Sequence, residues 1–141
     1  KDGSKKMSKS EISDLSRINL TDNEDQIINK IKKARTDPLP MPSSIDELDK
    51  RLEAKNLIGI YSSLTNTKLD KTINEFSGKN FSEFKEKLSQ VLVEKVAPIS
   101  KEISKLLTEK KFLDSILLDG YEKANKIASN KLKKIHEIMG F

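Results

Sequence analysis

"NFSEFKEKLSQVLVEKVAPISKEISKLL", residues 80–107, decides the fold. Phe84, Leu88, Val91, Leu92, Val96, Ile99, Ile103 and Leu106 recur at the 3.6-residue period of a single helix face. Asn80 and Glu83 stand at capping-box spacing before that face begins. Pro98 falls inside the pattern, where it frees the Glu94 carbonyl and is expected to kink the helix. A segment of this length with one apolar stripe needs other helices to cover it. No stretch of useful length elsewhere alternates at the two-residue period of a strand. The expected fold class is all-α, a helical bundle.

Working outward from that helix, the same signals recur. Thr21 and Glu24 have capping-box spacing, and Ile27, Ile28, Ile31 and Ala34 share a face. Lys30, Lys32, Lys33 and Arg35 crowd the last turns of that helix, where its dipole favours cations. "TDPLPMP" (36–42) stops it, and its three prolines are read as a linker and hinge. Ser44 and Glu47 open a helical region over roughly 44–64, with Leu48, Leu52, Leu57, Ile58, Tyr61 and Leu64 as its apolar positions. Thr67 and Asp70 start a short helix burying Leu69, Ile73 and Phe76, with Gly78 as C-cap. Beyond residue 107, "TEKKFLDSILLDG" predicts a helix ending near Gly120. A last helix over about 121–138 is expected to bury Ala124, Ile127, Ala128, Leu132, Ile135, Ile138 and Met139. Phe76, Phe81, Phe84 and Phe112 are read as core aromatics.

Composition narrows the function classes. The chain of 141 residues is 35% charged and 35% hydrophobic, enough for one domain with a modest core. It has no cysteine, which excludes a disulfide framework and any thiolate metal site. His136 is the sole histidine, so histidine-based zinc sites and Ser-His-Asp triads have almost nothing to build on; its expected role is structural or incidental. No apolar run approaches the length of a membrane span, and no signal peptide is evident. The expectation is a cytoplasmic protein without membrane contact. The net charge of +5, from 27 basic and 22 acidic residues, fits a polyanion partner and equally a solvated lysine-rich surface.

Chemistry enters at the start of the chain, with Lys6-Met7-Ser8-Lys9-Ser10. Ammonium groups on long stems reach a polyphosphate, while hydroxyls and loop amides add donors. Charge that grows on a leaving pyrophosphate is then stabilised more in the transition state than in the ground state. By itself the segment also fits a disordered N-terminal arm, and residues 1–20 read as a mobile loop. Arg17, shortly after it, reads either as a further phosphate contact or as a local ion pair with Asp14.

These five residues match the KMSKS signature of class I aminoacyl-tRNA synthetases. The similarity continues through "INLTD", "KIKKARTD", "EAKNLIGIYSSLT", "FSGKNFSEFKEKLSQVLVE" and "DGYEKANKIASNKLKKIHEIMGF". In that order the segments resemble the C-terminal part of the bacterial tryptophanyl-tRNA synthetase family, from the loop to the C-terminus. No Rossmann core, HIGH-type motif or tryptophan pocket precedes them here, and the chain starts at Lys1, so the expectation is a fragment. The resemblance implies an α/β Rossmann parent carrying this helical domain. It implies that Lys6 and Lys9 are catalytic cations and that Lys6, Met7, Ser8, Lys9 and Ser10 form a flexible ATP-binding loop. It further implies ATP with Mg²⁺, tryptophan and tRNA(Trp) as partners, and a homodimeric parent; no metal site is expected in this segment.

Domain expectations follow the same division. Residues 1–20 are the end of a catalytic domain, 21–43 a linking helix and proline-rich linker, and 44–141 a helical tRNA-binding domain. On a helical wheel Lys123, Lys126, Lys133 and Lys134, with Asn130, lie roughly opposite the apolar stripe of the last helix. That face suits an RNA backbone, and it equally suits solvent. The alternative reading of the whole chain is a free-standing helical RNA- or protein-binding module with a coincidental loop.

Overall fold

A computed structural model describes residues 12–140. Among them there are six α-helices, one short 3₁₀ turn at Asp14–Ser16, and no strand. The helices are α1 (Glu24–Lys32), α2 (Ile45–Asp49), α3 (Leu52–Thr65), α4 (Leu69–Phe76), α5 (Phe81–Thr108) and α6 (Lys110–Met139). The all-α expectation is met. Two compact units emerge, Lys1–Lys101 and Glu102–Phe141.

The first unit is built around one apolar cluster. Ile27 and Ile31 of α1, Leu48 of α2, Leu57, Ile58 and Tyr61 of α3, Ile73 and Phe76 of α4, and Phe84, Leu88 and Leu92 of α5 are all buried in it. At its centre the Phe84 ring, with no exposed surface, lies 4.9 Å from Phe76 and 5.9 Å from Tyr61. Tyr61 and Phe76 meet edge to face at 5.1 Å, the geometry in which a positive ring edge meets a negative ring face.

Helix starts differ in detail from the sequence expectations. Asn23, not Thr21, caps α1, in a reciprocal capping box with Gln26 (2.9 and 2.8 Å). At α2 the Ser44 hydroxyl accepts from the Glu47 N–H, whereas the Glu47 carboxylate reaches Ser43 rather than its own cap. The N-cap of α4 is Lys68, with no side-chain cap, so the Thr67–Asp70 pair does not close a box. The region 44–64 splits into α2 and α3 because Arg51 leaves the helical conformation (φ −122°, ψ 80°).

That break serves the proline segment. Arg51 donates from Nε and Nη2 to both Asp37 carboxylate oxygens, at 3.0 and 2.6 Å. Its Nη1 donates to the Pro40 carbonyl at 2.7 Å and to Glu47 at 3.2 Å, and the guanidinium lies 5.4 Å from the Phe81 ring centre. Met41 exchanges backbone hydrogen bonds with the α4–α5 turn, donating to the Lys79 carbonyl and accepting from the Gly78 N–H. Gly78 adopts φ +69° there, a conformation that costs glycine nothing. Met41 and Pro42 are buried as a result. The expected hinge is therefore a fastened strap, because its carbonyls and its one carboxylate are held by a single guanidinium.

Residues 12–20, expected to be mobile, carry the 3₁₀ turn and place Ile18 against the core. Helix α5 continues through Pro98. At Lys101 it passes the start of α1, where Lys101 Nζ donates to Glu24 at 2.8 Å. There the small residues Ala97 and Ser100 are buried and Ile99, expected on the core face, is 47% exposed.

The second unit departs most from expectation. Helix α6 runs unbroken from Lys110 to Met139, through Gly120, and none of its residues is buried. A single glycine inside a long helix costs only about 1 kcal/mol relative to alanine, too little to end it. Ala124, Ile127, Ala128, Leu132, Ile135, Ile138 and Met139 are exposed, as is Phe112. Their burial needs a second layer, and this unit contains only α6 and the last turns of α5.

Candidate functional site

Lys6, Met7, Ser8, Lys9 and Ser10 lie outside the described residues. What the structure describes is the chain that leads away from them. At Asp14 it meets a charged cluster that sequence reading missed. Lys30, expected among the solvated cations at the end of α1, is only 7% exposed. Its ammonium donates to Asp22 Oδ2 at 2.5 Å and pairs with Asp14 Oδ2 at 2.6 Å. Asn19 bridges the two acids, its backbone N–H donating to Asp22 at 2.8 Å and its side-chain amide to Asp14 at 2.9 Å. Arg17 takes the ion pair with Asp14, at 3.4 Å, that was one of its two expected roles.

The electrostatics follow from that geometry. Burial pulls the Lys30 pKa down, but the hydrogen bonds to Asp14 and Asp22 outweigh it and hold the ammonium above the ordinary lysine value. The hydrogen bond from Lys30, with that from Asn19, holds Asp14 below the usual carboxylate range. A signal for the cluster did exist in the sequence. Lys30 stands three residues after Ile27 and four before Ala34, on the inward face of α1, where a cation needs a buried counter-ion.

At the C-terminal end of α1, Lys85 of α5 donates to the Ala34 carbonyl at 2.6 Å and to the Lys32 carbonyl at 3.3 Å. Desolvation lowers its pKa, while the carbonyls at the end of α1 supply acceptors. The α1 segment is thus held at both ends, by Lys101 on Glu24 and by Lys85 past its C-terminus.

Lys123, Lys126, Lys133 and Lys134 are all exposed on α6. Lys123 pairs with Asp119 one turn earlier at 2.7 Å, a contact that tethers one of the four to a carboxylate. Among the described residues no three His, Asp or Glu side chains come together to hold a metal ion. No helix among them is long and apolar enough to cross a membrane.

Comparison with known proteins then decides the family. A family model described as class I tRNA synthetases (W and Y), the tryptophan and tyrosine enzymes, matches residues 1–98. The chain belongs to this family. Among class I tRNA synthetases it is similar to the tryptophan–tRNA ligase of Mesorhizobium japonicum, with 46% identity over 140 residues, 99% of this chain and 39% of that protein. The ligase of Brucella suis is 45% identical over 141 residues, covering all of this chain and 40% of the relative. For Rickettsia felis the identity is 45% and the shares are 100% and 42%. This synthetase chain therefore spans about two fifths of the length of these relatives. The matched range 1–98 includes the five-residue signature, the Asp14–Lys30 cluster and the Arg51 strap.

Proposed function

We propose that this chain is part of a tryptophan–tRNA ligase, which joins tryptophan to the AMP part of ATP and passes it to tRNA(Trp). The observation that carries the reading is the 45–46% identity, along essentially the whole chain, to proteins bearing that name. In the reaction the tryptophan carboxylate attacks the α-phosphorus of ATP and pyrophosphate leaves. A tRNA hydroxyl then takes the acyl group and AMP leaves. Lys6 and Lys9 act on the first step. Their charges meet the phosphates, where negative charge on the leaving group increases most. Met7, Ser8 and Ser10 shape the loop around ATP, and Mg²⁺ accompanies the nucleotide.

The domain reading puts residues 1–20 at the end of the catalytic domain and 44–141 on the tRNA side, with 21–43 joining them. Lys123, Lys126, Lys133 and Lys134 then offer charge to the RNA backbone. A homodimer working in the cytoplasm completes the proposal. The experiment is ATP–pyrophosphate exchange by the complete enzyme that contains this chain, with tryptophan and with tyrosine. Exchange with tryptophan alone is the expected result. Exchange with tyrosine, or none with either amino acid, would overturn the reading.

A further inference from the structure

The apolar stripe of α6 has a symmetry that amphipathicity alone does not require. Counted outward from Ala128, Ala124 and Leu132 stand four residues away, Tyr121 and Ile135 seven, and Leu117 and Met139 eleven. The spacing is 4-3-4-4-3-4 from either end. It also repeats every eleven residues, a period close enough to that of an α-helix to keep the stripe on one side of a straight rod. Because α6 is unbroken, the stripe runs about 33 Å from Leu117 to Met139. Turned end for end, the helix meets its own pattern. An interface across a two-fold axis demands that property, since residue i must touch j while j touches i.

Burial and charge point the same way. A helix of 30 residues with none buried lacks the packing that supplies most helical stability in proteins. Ile116, Ile127 and Ile138, again eleven apart, widen the stripe on one flank. Its eight large side chains range from 47% exposed at Ile135 to 85% at Ile138. At about 100 Å² each they reach the roughly 800 Å² per partner of a standard interface. The small Ala124 and Ala128 at the middle let two backbones approach, and the end-for-end register sets each Ala124 against the other copy's Leu132, small against large. Lys131, Lys133 and Lys134 crowd one turn. A parallel pair would lay them beside their own copies. An antiparallel pair lays them along residues 122–125, next to Glu122, and opposes the two helix dipoles. Lys126 and Lys133 lie on the far side of the helix from the stripe and stay outward.

We infer that the stripe of α6 is a docking surface for a second copy of this chain, the two helices running antiparallel and crossing at Ala128. The pairing stands apart from the ligase reading. It is a mass-action equilibrium, so dilute chain remains a monomer whose stability is that of the first unit's core.

The test uses the 141-residue chain. Sedimentation equilibrium should show dimer at about 100 µM and monomer below about 1 µM. Ala128→Glu sets like charges together at the crossing and should weaken pairing about a hundredfold, with unchanged helix content by circular dichroism. Glu137→Gln, on the far side, should pair as wild type. The chain has no cysteine, so an introduced thiol reports direction under mild oxidation. Ala128→Cys should link to its own copy. Leu117→Cys should link to Met139→Cys in a mixture and not to itself. A monomer at about 100 µM, or a dimer that Ala128→Glu leaves intact, would overturn the inference. So would Leu117→Cys linked to itself, which marks a parallel pair.

Discussion

Arg51 and Asp37 meet through two parallel hydrogen bonds, Nε to Oδ2 at 3.0 Å and Nη2 to Oδ1 at 2.6 Å, across fourteen positions of sequence. The fork of a guanidinium fits the two oxygens of a carboxylate, which a lysine ammonium cannot imitate. The Arg51 side chain is 9% exposed and that of Asp37 30%, so the guanidinium is the desolvated partner of a pair that closes the proline segment onto α3.

Arg51→Ala should accordingly cost about 2–3 kcal/mol, since it leaves the Pro40 carbonyl without its side-chain donor and Asp37 with only the Leu39 N–H. Arg51→Lys should recover only part of that. Urea titrations of the 141-residue chain check both; a wild-type midpoint in Arg51→Ala would show the segment is held by its backbone bonds alone.

Acid should loosen the same strap. Desolvation raises the Asp37 pKa, but the Arg51 hydrogen bond and backbone donors outweigh it, so the folded value lies below the ordinary one. A depressed carboxylate contributes stability that is present above the unfolded pKa, about 4, and is lost as pH falls through the folded value. Asp14 and Glu47 are shifted in the same direction and add to the slope. Stability should fall as the pH drops below about 4, and less steeply in Asp37→Asn than in wild type. Equal slopes would remove Asp37 from the account.

Burial predicts two opposite responses to truncation. Phe84→Ala removes a ring packed between Tyr61 and Phe76 and should cost about 3–5 kcal/mol. Leu132→Ala on α6, where the leucine is 54% exposed, should change stability by no more than about 0.5 kcal/mol. Thermal melts of both variants of the same chain settle the contrast.

For the proposed activation step, Lys6→Ala or Lys9→Ala in the complete enzyme should depress kcat for pyrophosphate exchange by about a hundredfold while tryptophan KM stays near wild type. A raised tryptophan KM at unchanged kcat would place these lysines against the amino acid instead of the phosphates.

For the proposed RNA contact, Lys126→Glu with Lys133→Glu should weaken tRNA binding by the 141-residue chain and reduce the slope of log affinity against log salt. Titrations at two salt concentrations measure it. Binding and slope both unchanged would assign the basic face of α6 to solvent.

The sequence alone settled the helical class, because period and capping spacing are local properties written within a few turns. Phe84, Leu88 and Leu92 are buried as their spacing requires. It also carried the family, since the five-residue signature and the segments after it survive as order along the chain. It could not say which apolar stripes find a cover: α6 has as regular a stripe as α5, yet nothing of it is buried, because burial belongs to the neighbour as much as to the helix. Nor could spacing pair Arg51 with Asp37 or Lys30 with Asp14, since charge partners fourteen and sixteen residues apart are chosen by where the backbone returns. Three prolines read locally are a hinge; with Arg51 gripping the Leu39 and Pro40 carbonyls and Met41 sunk in the core, only the tertiary fold makes them a strap.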